Sequence, residues 1–257
     1  MEEITLSVAL ATMNEENNLS KCLSSVVDWA DEIVVVDGGS TDKTIDIAKK
    51  FGSVLIHTNN PAIFHINKQK ALDACKGTWI VQLDADEIIT AELRKEIDDI
   101  ILKPTINEYN GYFVPRKNYF LGAWLKKGWL YPDYVVRIFR KGHGWFPSKS
   151  VHEQITVDDP IGYLHNALLH FTAPTVAVYW IKAMRYVSLK ADEFHERNIP
   201  RNLFAFIDYL FFRPVALFFS LSIRHKGVLD GWRGIVFAFF SALQIPMSYI
   251  VFVRSKK

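Results

Sequence analysis

The sequence predicts an α/β protein built on a mostly parallel sheet with helices on both faces, followed by an apolar, basic helical tail. Three observations carry that prediction. Short β-branched apolar runs recur at the start of the chain, each followed by a polar turn and then a helix-period segment. The runs are apolar at nearly every position rather than at every second one, which is the signature of strands covered on both faces. The last 58 residues, from Pro200 onward, change character altogether.

In order, Ile4 to Thr12 reads as a strand. Met13 to Asn18 (MNEENN) supplies capping residues for a helix through about Val27. Glu32 to Asp37 (EIVVVD) is a second strand, closed by Gly38-Gly39-Ser40-Thr41-Asp42, and a helix follows from about Lys43 to Phe51. Ser53 to His57 gives a third strand, Ile66 to Lys76 a helix with Gly77 as its expected stop, and Trp79 to Leu83 a fourth strand. Thr90 to Leu102 reads as helix. Gly111 to Arg116 and Val135 to Arg140 then read as strands around a loop containing Tyr119, Phe120, Trp124, Trp129 and Tyr131. Those aromatics suit stacking on sugar faces or packing beneath the loop. Thr175 to about Arg197 is a further helix. We expect one body over residues 1–200, with a ligand-binding half at 1–103 and a second half at 104–200, and a membrane-associating tail at 201–257.

Charge is divided in the same way. The tail holds eight Lys/Arg against two Asp/Glu, while the preceding 199 residues hold 22 against 26. An acidic body and a basic tail fit a membrane surface, and no nucleic-acid partner is expected. Gly234 to Val253 runs 20 residues without a charge; as helix it would span ~30 Å, the thickness of a bilayer core. Gln244, Pro246 and the Arg213-Pro214 pair favour helices lying in the interface over helices crossing it. Two cysteines, Cys22 and Cys75, exclude a disulfide framework and suit a reduced cytoplasmic setting. No signal peptide is expected, because the N-terminus runs directly into a strand.

The chemistry is expected at the end of the fourth strand. There Asp84-Ala85-Asp86-Glu87 places three carboxylates within four residues. Carboxylates forced together repel, and oxygen-rich clusters suit hard divalent ions such as Mg2+ or Mn2+. In parallel sheets ligands bind beyond the C-terminal strand ends, where Thr12, Asp37 and Asp84 fall.

Three motifs in this order, LSVALATMNEENN, VVVDGGSTDKT and WIVQLDADE, resemble the nucleotide-sugar-binding half of family 2 glycosyltransferases. The continuation VVRIFRKGHGWF, VHE and KGVLDGWRG is similar to the subgroup that includes lipopolysaccharide core β-glucosyltransferases. The resemblance implies a GT-A, Rossmann-like fold and an inverting, metal-dependent transfer of a hexose such as glucose from a UDP-sugar. The implied acceptor is lipid-linked or a lipopolysaccharide core, met at the cytoplasmic face of the inner membrane. It implies donor contacts at Thr12, Asn14, Glu15, Asp37, Lys68 and Asp84. Metal ligation is implied at Asp86, with Asp84 and His170, and Mg2+ or Mn2+ as the ion. Base catalysis is implied at Glu153, with His152 beside it. Arg137 and Arg140 suit an anionic acceptor or surface pairing. A nucleotidyltransferase would share such a site but typically shows a Gly-rich, basic loop where this chain has MNEENN. A nucleotide-sugar-binding protein without turnover would not need Asp84, Asp86 and Glu153 intact.

Overall fold

The computed structural model describes residues 5–61, 64–102, 109–147 and 154–255. His152 and Glu153 lie outside them. The chain forms two compact units, one of Met1–Arg116 with Asp133–His170 and one of Lys117–Pro132 with Phe171–Lys257. The tail expected from residue 201 thus shares its unit with the preceding helix and with Lys117–Pro132.

The first unit begins β1 (Leu6–Thr12), α1 (Leu19–Ser24), β2 (Glu32–Asp37), α2 (Thr44–Lys50), β3 (Val54–His57), α3 (His65–Ala74) and β4 (Trp79–Leu83). It continues with β5 (Glu87–Ile88), α4 (Ala91–Leu102) and β6 (Gly111–Phe120), the last of which runs on into the second unit. After β7 (Ala123–Trp124) come β8 (Asp133–Arg140), β9 (Gly144–Trp145), β10 (Thr156–Val157), β11 (Ile161–Tyr163) and β12 (Leu168–Ala173). The main sheet has the order β3-β2-β1-β4-β8-β6-β12-β5. Its first four strands are parallel, as helical crossovers require, whereas β8 runs antiparallel to both β4 and β6. The sheet is therefore mixed, Rossmann-like in its first half. The antiparallel half arises because β6 and β8 are joined by loop and short strand, with no crossover helix to return the chain.

Alternate residues of each parallel strand enter different cores. Val8, Leu10, Val35, Val81 and Leu83 pack with Leu19, Leu23, Leu93 and Ile97 of α1 and α4. Ala9, Val34, Val36 and Ile80 pack with Ala71 and Leu72 of α3. Both faces are thus covered, which explains the unbroken apolar runs. Gly77 has a different role from the expected helix stop, since α3 already ends at Ala74. A Cβ at Gly77 would stand 2.7 Å from the Ser7 amide nitrogen. Its own N–H donates to Ser7 Oγ at 2.8 Å, and Ser7 in turn donates to the buried Glu32 at 2.6 Å.

In the second unit α5 (Val176–Glu196) is capped by Thr175, whose Oγ1 accepts from Val178 N–H at 3.2 Å. Two stretches are long and apolar enough to cross a membrane by length and composition, Leu203–Arg224 and Gly227–Arg254. The first does not break at Arg213-Pro214. It runs through as a helix, with wider π turns at Asp208–Phe212 and Ser220–Arg224, the first of them directly ahead of Pro214. A wider turn there accommodates the missing proline N–H. The second is a short 3-10 turn and then a helix, Gly231–Arg254, that carries Pro246 inside it.

Candidate active site at the end of the fourth strand

The acidic stretch leaves β4 in a tight turn, with Glu87 N–H donating to the Asp84 carbonyl at 2.9 Å and Asp84 N–H donating to Glu87 Oε2 at 3.0 Å. The protein itself supplies cations here. Lys68, on α3, donates to Asp84 Oδ1, as does Gln82 Nε2 at 3.2 Å. Arg137, on β8, donates through Nη2 to Asp84 Oδ2 at 2.8 Å and to Glu87 Oε1 at 2.7 Å, and through Nη1 to Gln82 Oε1. Arg116 lies 3.7 Å from Glu87 and pairs with Asp133 at 2.7 Å. Three cations, Lys68, Arg137 and Arg116, therefore meet the three carboxylates Asp84, Glu87 and Asp133.

This network sets the titration of Asp84. Burial pushes its carboxyl upward, but Lys68 and Arg137 together outweigh that and hold it well below the usual carboxylate range. Burial likewise opposes the charge on Arg137, and Glu87 and Asp84 more than restore it. The Cys22 thiol beneath the turn is raised well above its ordinary value, first by burial and then by Glu87, Asp86, Asp84 and Glu15. It is an inert core group rather than a ligand.

Asp86 has a different neighbour. Its Oδ1 lies 3.5 Å from His170 Nε2, and both side chains are mostly buried. The two meet because β12 pairs antiparallel with the two-residue β5, setting His170 opposite Glu87 and Leu169 opposite Ile88. A carboxylate and an imidazole converging at this separation fit two ligands on one Mg2+ or Mn2+, which commonly completes its shell with water and substrate phosphate. Asp84 fits less well, since both of its oxygens are already held. Among the described residues no group of three or more His, Cys, Asp or Glu is placed to hold a metal by itself.

The donor-contact candidates divide similarly. Asp37 is buried with its carboxylate occupied by its own turn: Oδ2 accepts from Gly39 and Ser40 N–H at 2.9 Å each, and Oδ1 accepts from Ser40 Oγ at 2.5 Å and Thr12 Oγ1 at 3.4 Å. Asn14, at φ 55°, bridges to the same loop, accepting from Thr41 N–H at 2.8 Å while its own N–H donates to Ser40 Oγ. Glu15 N–H donates to Thr44 Oγ1 at 2.7 Å and its Oε2 accepts from Asn18. Asn18 makes no side-chain cap, so MNEENN serves to lock two βα loops together rather than to cap α1. Lys68, besides meeting Asp84, sits over the rings of Phe64 and Phe146 at 5.3 and 5.8 Å.

Arg137 departs from its expected acceptor-facing or surface role. It is buried, and the signal was its place among Val135, Val136, Ile138 and Phe139, where each neighbour is buried too. Arg140 instead lies over the Trp79 ring at 4.7 Å.

Residues 7–129 match the family described as Glycosyl transferase family 2. The chain carries a family 2 glycosyltransferase domain. That domain holds β1 to β4, the acidic turn and Lys68, and the enzyme continues beyond it through β8 and β12. LpsC of Rhizobium meliloti (strain 1021), a lipopolysaccharide core biosynthesis glycosyltransferase, is 29% identical over 269 residues, covering 98% of this chain and 96% of that protein. An uncharacterised glycosyltransferase of Rickettsia typhi (strain ATCC VR-144 / Wilmington), RT0209, is 26% identical over 198 residues, covering 73% and 67%. Among solved structures, S. aureus TarS 1-349 in complex with UDP aligns with a TM-score of 0.49 at 15% identity, covering 96% of this chain and 92% of that one.

Proposed function

We propose that this glycosyltransferase moves a hexose, with glucose the first to test, from a UDP-sugar to a lipid-linked or lipopolysaccharide-core acceptor, inverting the anomeric carbon. The observation that carries the reading is the meeting of Asp86 and His170, with Lys68 on Asp84 two residues before, at the strand end where a parallel sheet places its ligand. Asp86 and His170 would hold Mg2+ or Mn2+, which neutralises negative charge on a diphosphate leaving group. Lys68 then exchanges Asp84 for a diphosphate oxygen, and Asp84, kept ionised by Arg137, receives the ribose. The loop fixed by Asp37, Thr12 and Asn14 offers backbone groups to the nucleobase, with Glu15 at its rim. Glu153, with His152 beside it, takes the proton of the attacking hydroxyl as its oxygen bonds to the anomeric carbon. The pair of electrons in the broken sugar–phosphate bond leaves with the nucleoside diphosphate. The likeness to LpsC along nearly its whole length supports the acceptor class.

Purified enzyme given labelled UDP-sugars should hydrolyse or transfer at least one of them, and EDTA should suppress turnover until Mg2+ or Mn2+ is restored. Turnover indifferent to EDTA would remove the metal from the reading.

The tail supports residence at the cytoplasmic face of the membrane. Both ends of α5 hold the C-terminal half of the second tail helix: Gln244 Nε2 donates to the Tyr179 hydroxyl at 2.9 Å, and His195 meets Ser255. Yet α5 carries Lys182, Arg185, Lys190, Asp192, Glu193 and Glu196, six charges that hydrocarbon would not accept. A tail packed lengthwise on such a helix lies in the interface instead of crossing it. Its free faces carry Phe204 at 86% exposure and Phe212 at 68%. Replacing both with Glu should weaken flotation with phospholipid vesicles at least tenfold, given about 1.5–3 kcal/mol for each large apolar side chain buried. The melting temperature should hardly move, and unaltered flotation would show that the contact lies elsewhere.

A further inference from the structure

A second candidate site stands on the β6–β7 hairpin, whose register pairs Tyr119 with Trp124 and Phe120 with Ala123. Side chains alternate there with period two. Asn118, Phe120 and Leu125 are buried on one side, which leaves Lys117, Tyr119, Trp124 and Lys126 on the other. The accessible side is rich in rings. Tyr119 stacks on Phe171 at 4.8 Å with planes 24° apart, and Tyr131 meets Trp124 edge-on at 5.1 Å. Lys117 Nζ and Lys126 Nζ each stand 4.9 Å from the Trp124 ring. Neither lysine has a carboxylate partner among the described residues. Asp230, the acid that does reach this loop, spends an oxygen on Lys127 N–H at 2.7 Å.

One lysine over an indole is ordinary packing. A second over the same indole adds repulsion, and the arrangement is relieved when an anion comes between the two ammonium groups. The rings discriminate among anions. Trp124 and Tyr119 are half-buried and share the exposed side of the hairpin, and such rings suit contact with the apolar face of a sugar ring.

We infer that the Lys117, Tyr119, Trp124 and Lys126 face binds a negatively charged sugar, one bearing a carboxylate or a phosphate, as part of the acceptor. Its assignment to the acceptor rests on the glycosyltransferase reading above; the binding itself does not.

The test uses the full chain in detergent with 15N-labelled tryptophan. The Trp124 indole N–H, which is buried and has no acceptor among the described residues, is the reporter and is assigned by its loss in Trp124→Phe. Galacturonic acid and glucose 6-phosphate should shift this resonance with affinities at least tenfold above that of glucose and that of inorganic phosphate. The Lys117→Gln, Lys126→Gln double variant, with its melting temperature checked, should lose the preference over glucose. Equal affinity for glucose would overturn the charge requirement, and equal affinity for inorganic phosphate would overturn the sugar. A shift produced by phosphatidylglycerol vesicles and not by the sugar acids would replace the proposal with a lipid headgroup site. Donor hydrolysis by the same preparation reports separately on the glycosyltransferase reading, so failure of one is not mistaken for failure of the other.

Discussion

Arg137→Met is expected to destabilise the protein by about 3–5 kcal/mol, the usual cost of removing one partner from a buried ion pair. The guanidinium serves Gln82, Asp84 and Glu87 together, and the Glu87 side chain is fully enclosed at 0% exposure. Without it Glu87 keeps the Asp84 N–H at 3.0 Å and, as its charged partner among the described residues, Arg116 at 3.7 Å. For a chain of this size the loss corresponds to a fall in melting temperature of roughly 10 °C. Two further measurements separate charge from lost packing. Adding Glu87→Gln to the Met variant removes the stranded carboxylate and should recover part of the loss. The gap between wild type and variant should also narrow as the pH falls. Asp84 has a depressed pKa in the folded protein, so its pairing stabilises fully above the unfolded value of about 3.9 and is lost as the pH drops through the lower folded value. A variant that melts within 1 °C of wild type would show that the network does not hold the turn.

How far such features were legible in the sequence depends on how local they are. The bounds of β2 and β4 were readable to the residue, Glu32–Asp37 and Trp79–Leu83, because each run has an apolar, β-branched centre (IVVV and IV) and each is closed by a polar turn. The acidic turn after β4 was equally plain. Its partners were not legible from local pattern, and His170 was set with Asp86 only by the family resemblance. His170 reaches Asp86 through a ladder between a two-residue strand and a strand more than 80 residues later, a pairing that no local pattern announces. Arg137 was visible as a residue but not as a counter-ion, since the alternation of a half-buried strand is absent from VVRIF, where every position is buried. Asp37 shows the converse case. It stands at a strand end, where ligands bind, and its oxygens accept from the turn that follows, a use that the strand-end position does not announce.

Asp86→Ala is expected to lower turnover about 10²- to 10³-fold, the range seen when one group stabilising charge in a transition state is removed. The reason lies in how charge is shared across the site. Asp84, Glu87 and Asp133 are met by Lys68, Arg137 and Arg116, so a divalent ion arriving near Asp84 must first displace organic cations. Asp86 faces an imidazole, which can itself ligate and need not carry a competing charge. Calorimetric titration of UDP in the presence of Mn2+ should therefore show the metal-dependent part of the affinity lost in Asp86→Ala and reduced in His170→Ala. Asp84→Asn should retain most of that dependence while lowering stability, because Lys68 loses its carboxylate and Arg137 keeps only Glu87 of its two. If Asp84→Asn abolished the metal dependence and Asp86→Ala left it intact, the ion would belong with Asp84, and Lys68 would have to leave Asp84 before metal and nucleotide could bind.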